Sequence, residues 1–372
     1  MDVELEAGGR LLVNLLRGGS RSRTELAALT GWSRNTVAAR LNELMDAGWV
    51  REDTELQGDR GRPSIGYVVN PRACAVYVAT FGRDQLRGAL CGLDGTLLAS
   101  DLRPFRLGDL PGAIEDVAQQ FAALRRQPGL GTLPVAAAVI GGPSPVANPV
   151  TFATWAQVAA VPEEFSRRLG IPVTLENDAS LMAFGLRRDF PEADTFVLVK
   201  IATGIGAGIV ISGTLHTGVA GLAGEIGHIP VRRGGERQCA CGNRGCLSLV
   251  ASEPGILRDL SAGPRQVPDL AALQALVAEG DAEAVAALRA AGRDIGEALV
   301  GVVTGIAPEL VILGGTIAQF GDHLATGVRE SLTRLTLPAL SARVRVASTG
   351  QDGDADLRGG AELALDRLLT GR

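Results

Sequence analysis

His228 is followed eleven residues later by Cys239-Ala-Cys241-Gly-Asn-Arg-Gly-Cys246. One imidazole and three thiols on so short a segment form a four-ligand set suited to a tetrahedral zinc ion. Gly242 and Gly245 permit the reversals that bring three sulfurs to one point. Four protein ligands leave no open coordination position, so the expected role of the metal is structural. The other cysteines, Cys74 and Cys91, make five in all, and an odd number argues against a disulfide framework. Three reduced thiols in a loop are the alternative. The loop sequence shows little else to hold it, so losing Cys239 is expected to cost metal and local order together.

The chain has 372 residues, enough for two or three domains. Apolar residues at 46% and charged residues at 21% exclude wholesale disorder. The longest apolar runs, such as Val135 to Ile140 and Phe196 to Val199, are too short to span a bilayer. The opening Met-Asp-Val-Glu-Leu-Glu is acidic where an export signal is basic, so a cytoplasmic location without membrane attachment is expected. A net charge of −5 argues by itself against a nucleic-acid partner. Its distribution argues the other way: from Arg17 to Arg40 five arginines (Arg17, Arg21, Arg23, Arg34, Arg40) face one acid, Glu25. Lys200 is the sole lysine, a usage that reads as genome base composition.

Residues 1–70 carry the pattern of a winged helix-turn-helix. Leu11, Leu12, Leu15 and Leu16 have helical spacing. Arg23 to Leu29 reads as a second helix with Leu26, Ala27 and Leu29 inward. Thr30-Gly31-Trp32 forms the turn, and Ser33 caps a third helix with Val37, Leu41 and Leu44 on one face, ended by Gly48. Trp49 to Arg51 and Tyr67 to Val69 read as the strands of the wing. Arg34 and Asn35 are placed to reach base edges in the major groove, Thr36 a base edge or a phosphate, and Arg40 follows on the same helix. Arg60-Gly61-Arg62-Pro63 offers two guanidinium groups on a segment narrow enough for the minor groove. Double-stranded operator DNA is the expected partner, bound by a homodimer or a dimer of dimers. A small helical packing domain with a solvated charged face is the alternative.

From Ala73 onward the pattern is α/β, with strand-like stretches at Cys74–Thr80, Gly88–Leu93, Val135–Ile140, Val173–Glu176, Thr195–Ile201, Gly208–Ser212 and Leu310–Leu313. Asp94-Gly95 marks a hairpin turn, and Pro254 to Thr304 reads as helices.

Gly224-Glu225-Ile226-Gly227-His228, followed by the cysteines, resembles the signature of the ROK family, which contains bacterial sugar-responsive repressors and sugar kinases. Leu175-Glu-Asn-Asp-Ala179 resembles its substrate segment, Thr203-Gly-Ile-Gly-Ala-Gly208 its second phosphate loop, and Val311-Ile-Leu-Gly-Gly315 its late nucleotide-side turn. A plain strand-turn-strand explains Thr203-Gly-Ile-Gly equally well. The resemblance implies a two-lobed actin/hexokinase-like, ribonuclease H-like domain over 71–372. The first lobe would span 71–186, the second 187–357 with the zinc motif, and 358–372 would return as a helix to the first.

The resemblance also implies that Asn177, Asp178, Glu225 and His228 contact a sugar, with His228 using one nitrogen for zinc and the other for the ligand. Asp178 matches the kinases' catalytic base. The match is uneven. Ser248 stands where the family usually has Glu, Ser144 where it has Gly, and an Asn is missing near Thr151 to Trp155. The first phosphate loop, Asp-x-Gly-Gly-Thr in kinases, reads Thr80-Phe-Gly-Arg83-Asp84, and Ala202 opens the second. The implied function is therefore a sugar-responsive transcriptional regulator, a repressor of carbohydrate genes, with structural zinc, a small-molecule sugar effector and no catalysis. The alternatives are an active, glucokinase-like ROK sugar kinase with an added DNA-binding domain, and a zinc-stabilised scaffold that binds neither DNA nor sugar.

Overall fold

A computed structural model describes residues 5–53, 65–82, 84–105, 110–142, 160–263, 265–349 and 353–370. The chain forms two compact units, one gathering Met1–Gly141, Ala159–Leu175 and Gly360–Arg372, the other Gly142–Val158 and Glu176–Gly359.

The first unit opens with α1 (Ala7–Arg17), β1 (Arg21–Ser22), α2 (Arg23–Thr30), α3 (Arg34–Asp46), β2 (Val50–Asp53) and β3 (Gly66–Val69). Ser22 and Glu25 form a reciprocal capping box that starts α2, and Gly31, at φ 73°, ends it. Ser33 accepts the Thr36 amide and starts α3 two residues later. Leu12, Val13, Leu16, Leu26, Val37, Leu41, Leu44 and Tyr67 are buried as the core of this head. Two positions depart from the helical reading. Leu29, expected inward, is 53% exposed, and Leu11 is 41% exposed. With only two turns, α2 covers its neighbours through Leu26, and Leu29 falls outside that narrow stripe. The strand β1 has no pattern of its own; two residues pair with Tyr67 and Gly66 of β3 and complete a sheet of order β1-β3-β2.

The same unit holds β4 (Ala75–Phe81), β5 (Gln85–Gly92), β6 (Leu97–Pro104), β7 (Val135–Gly142) and β8 (Val173–Asn177), with α4 (Leu110–Arg125) and α5 (Ala160–Leu169). The order is β6-β5-β4-β7-β8, antiparallel from β6 to β4 and parallel from β4 to β7. Asp94-Gly95 makes the expected hairpin turn: Gly95 has φ 84°, and Asp94 Oδ1 accepts the Thr96 amide and hydroxyl. Arg17 at the end of α1 donates from Nη2 to Glu362 Oε2 at 2.9 Å and from Nη1 to Asp366 Oδ1 at 3.3 Å. The Arg17 and Glu362 side chains are only 3% and 7% exposed.

In the second unit, α6 (Asp178–Leu186) precedes β9 (Phe196–Ile201), β10 (Ile205–Ile211) and β11 (Thr214–Leu215). The helices α7 (Glu253–Leu260), α8 (Leu270–Ala278) and α9 (Ala282–Ile306) follow, then β12 (Leu310–Gly314), α10 (Gly321–Leu335) and β13 (Arg345–Ser348). The last helix, α11 (Ala355–Thr370), begins here. The sheet order is β11-β10-β9-β12-β13, parallel except at β9-β10-β11. Alternation along β9 serves two cores. Val197, Val199 and Ile201 pack with Leu288, Ile295 and Leu299 of α9. Phe196 and Leu198 pack with Ala183 and Leu186 of α6. The next residue in that second row is Lys200.

Candidate ligand, metal and DNA-reading sites

The four residues singled out for metal come together. His228 closes a single helical turn, Ile226–His228. Its ring nitrogen and the sulfurs of Cys239, Cys241 and Cys246 all lie within 4.8 Å of one another, so they could hold one metal ion. Gly242 and Gly245 adopt φ of 94° and 74°, the reversals their spacing demands. Bridges pair Gln238 with Arg244 and Pro230 with Cys246. Burial and the neighbouring thiols push the Cys246 thiol up to about 12. Cys241 moves below its ordinary value: burial raises it, but the Asn243 backbone bond and the neighbouring thiols outweigh that. A cation would discharge both protons, since thiolates are the ligands.

The expectation that little else holds this loop is corrected. Arg233 donates to Asp294 at 2.6 Å, to Asp259 at 2.7 Å and to the Val250 carbonyl at 2.6 Å. Arg232 bonds Glu297, and Arg237 approaches Asp259 at 3.5 Å. Three arginines whose partners lie far along the sequence fasten the segment to α7 and α9.

Asn177 ends β8 and caps α6, its Oδ1 accepting the amides of Ala179 and Ser180 at 2.8 and 3.2 Å. Its carboxamide NH2 is what it can offer a ligand. Asp178 is the first residue of α6, and its Oδ2 accepts from Lys200 Nζ at 2.5 Å. A Cβ at Gly208 would lie 2.4 Å from the Ala179 carbonyl oxygen, so β10 can support this end of α6 only with glycine. Glu225 Oε2 lies 3.9 Å from His228 Nε2, while His228 Nδ1 lies 3.6 Å from the Cys239 sulfur. One imidazole nitrogen thus faces the thiols and the other a carboxylate. The expected sugar contacts form two pairs, Asn177 with Asp178 and Glu225 with His228. The Ser248 hydroxyl accepts the Ile205 amide at 3.3 Å, tying down the glycine turn between β9 and β10. Thr80 is buried within β4. Arg83, Ser144 and residues 151–155 lie outside the described residues. Sequence reasoning missed Lys200; its signal was a solitary lysine in an otherwise apolar strand.

On the head, Arg34, Asn35 and Thr36 are exposed on the first turn of α3. The Thr36 hydroxyl shares a 2.8 Å bond with Ser33. Arg40 pairs with Glu6 at 2.9 Å and Glu43 at 2.8 Å. Three of the five clustered arginines work internally. Arg17 holds Glu362, Arg21 bonds the Leu15 carbonyl, and Arg23 bonds the Tyr67 hydroxyl. Arg60 and Arg62 lie outside the described residues. Among the described residues no helix is long and apolar enough to cross a membrane.

A model of winged helix-turn-helix DNA-binding domains matches residues 9–51. The xylose repressor of Bacillus subtilis (strain 168) is 26% identical over 371 residues, covering 96% of this chain and 94% of its own. A crystal structure described as a ROK family transcriptional regulator, homolog of the E. coli MLC protein, superposes with TM-score 0.81 at 25% identity, covering 98% of both chains. The ROK hexokinase of Thermus thermophilus superposes with TM-score 0.64 at 25% identity, over 77% of this chain and 97% of its own. Residues 77 to 367 match the ROK family model, and the chain belongs to the ROK family.

Proposed function

We propose that this chain is a sugar-responsive DNA-binding repressor of carbohydrate uptake or catabolism genes. The observation that carries it is coverage. Likeness to a repressor and to a transcriptional regulator covers 96% and 98% of this chain, whereas the hexokinase covers only 77% of it. In this reading residues 1–70 read operator DNA, with Arg34, Asn35 and Thr36 in the major groove, Arg40 behind them, and Arg60 and Arg62 in the minor groove. Residues 71–372 form the sugar-binding part. A homodimer, or a dimer of dimers, presents two heads to a pseudo-palindrome in the cytoplasm, where the operator is.

Asn177, Asp178, Glu225 and His228 take the sugar hydroxyls, and the retained polar set supports this. Zinc, held by His228, Cys239, Cys241 and Cys246, is structural and fixes the imidazole whose Nε2 faces Glu225. Catalysis is absent from this reading. With Thr80 in place of the first-loop aspartate, Asp178 has no positioned phosphoryl donor to act on.

The test is a gel shift of the full chain on the DNA upstream of its own gene, repeated with a monosaccharide panel. Specific binding that one sugar weakens, and that Asp178→Ala no longer lets that sugar weaken, is expected. Retained DNA binding after removal of residues 1–70 would overturn the assignment of the head. A complex indifferent to every sugar would overturn the effector site.

A further inference from the structure

We propose that Lys200 is a ligand-contacting residue, and that with Asp178 it forms a charge-compensated donor–acceptor pair selecting an uncharged sugar hydroxyl over a phosphorylated one. The inference rests on the sugar-site reading and deepens it.

Alternation along β9 points Phe196, Leu198 and Lys200 to the α6 side. The first two fill the core, but Lys200 lies one step beyond it, level with Asp178 at the start of α6. The residue pairs with Gly206 on one neighbouring strand and Gly314 on the other, so no side chain flanks it in register. Its side chain is 26% exposed and that of Asp178 12%, so the pair keeps some accessible surface. An ammonium carries three donors, of which Asp178 engages one; the carboxylate keeps acceptor capacity at Oδ1.

A hydroxyl donates and accepts at once. One placed against this pair can give its proton to Asp178 and accept from Lys200, making two charge-assisted bonds. A phosphate gains less, because the ammonium is already neutralised and the adjacent carboxylate repels it. The pair therefore favours a neutral polyhydroxyl ligand.

As the sole lysine, Lys200 can be followed alone. Calorimetry on the full metal-loaded chain with D-xylose, D-glucose, N-acetyl-D-glucosamine and glucose 6-phosphate identifies a binding sugar. Reductive methylation, read by mass spectrometry, then measures Lys200 reactivity with and without it, using the α-amino group as internal reference. The expected result is protection of Lys200 alone. Lys200→Met should weaken the sugar about tenfold or more, as loss of a charge-assisted bond predicts, with Lys200→Arg recovering part of it. Glucose 6-phosphate should bind no better than glucose.

A sugar that binds without changing Lys200 reactivity, and binds Lys200→Met like wild type, would reduce Lys200 to an internal counter-ion. Tighter binding of glucose 6-phosphate than of glucose would overturn the selectivity. Failure of every sugar to bind wild type is a separate result: it removes the sugar-site reading and this inference with it.

Discussion

Arg233 Nε lies 2.6 Å from Asp294 Oδ2, joining the turn before the cysteines to the middle of the 25-residue helix α9. Burial raises the Asp294 carboxyl above its ordinary 3.8, and the guanidinium opposes that rise. A carboxyl with a raised folded value contributes stability below its unfolded value and loses it as pH climbs through the folded one. Arg233→Met leaves the carboxyl buried without that counter-charge and raises it further. The variant should therefore unfold more easily at pH 7 by about 2 kcal/mol, less than a fully buried pair because Arg233 is a third exposed. Its deficit should shrink as pH falls toward 4. Urea titrations at several pH values check this; a pH-independent deficit would refute it.

Because the arginines fasten the loop independently of metal, chelation should leave most of it ordered. The Cys246 thiol stands near 12 and gives up its proton on metal binding, so apparent zinc affinity should rise with pH through the neutral range. Cys239→Ser should lose the metal. Competition with a chromophoric chelator between pH 6 and 8 measures the affinity, and hydrogen exchange of residues 229–247 measures the order. Global unfolding on chelation would contradict the arginine account.

Arg17→Met should destabilise the full chain by about 3 kcal/mol, since it removes the buried guanidinium that faces the Glu362 carboxylate. Adding Glu362→Gln to it should recover much of that loss, giving a double-mutant cycle far from additive. Additive losses would mean that the pair carries no coupling.

On operator DNA, Arg34→Ala should cost about 1–3 kcal/mol and relax sequence preference at one position. Arg40→Ala should cost clearly less than Arg34→Ala, because its guanidinium is shared between Glu6 and Glu43 before DNA arrives. Footprinting across base variants distinguishes them. Equal losses would place Arg40 directly on the DNA.

Turnover with ATP and hexoses or pentoses should stay far below the ordinary kinase range of about 1–100 per second. A coupled assay on metal-loaded protein measures it, and a rate within that range would restore the kinase reading.

Much of the fold was legible because local chemistry and tertiary packing agree. Ser22, Gly31 and Ser33 mark helix ends that need only backbone geometry. Val37, Leu41 and Leu44 recur at spacings that leave one face to bury. The metal residues were legible for the same reason, since their ligand chemistry is local to eight residues and a nearby histidine. What escaped was long-range. Arg17, Arg21 and Arg23 looked like a DNA-facing cluster, yet their partners are Glu362, the Leu15 carbonyl and Tyr67. Nothing in the sequence around Arg233 announces Asp294. Lys200 looked like an accident of codon usage until strand alternation placed it beside Asp178. The edge strands β6, β11 and β13 have no apolar run to advertise them, because an edge exchanges burial for pairing on one side.

The Arg17–Glu362 contact also sets an order in time. Arg17 is made before its partner, which follows 345 residues later, roughly 20–70 s at ordinary synthesis rates. Until the last helix emerges, the reading head has its own small core but no seat. A chain truncated before residue 362 would carry a folded head without that anchorage. Seating of the DNA reader through this contact is thus reserved for chains whose synthesis has passed residue 362.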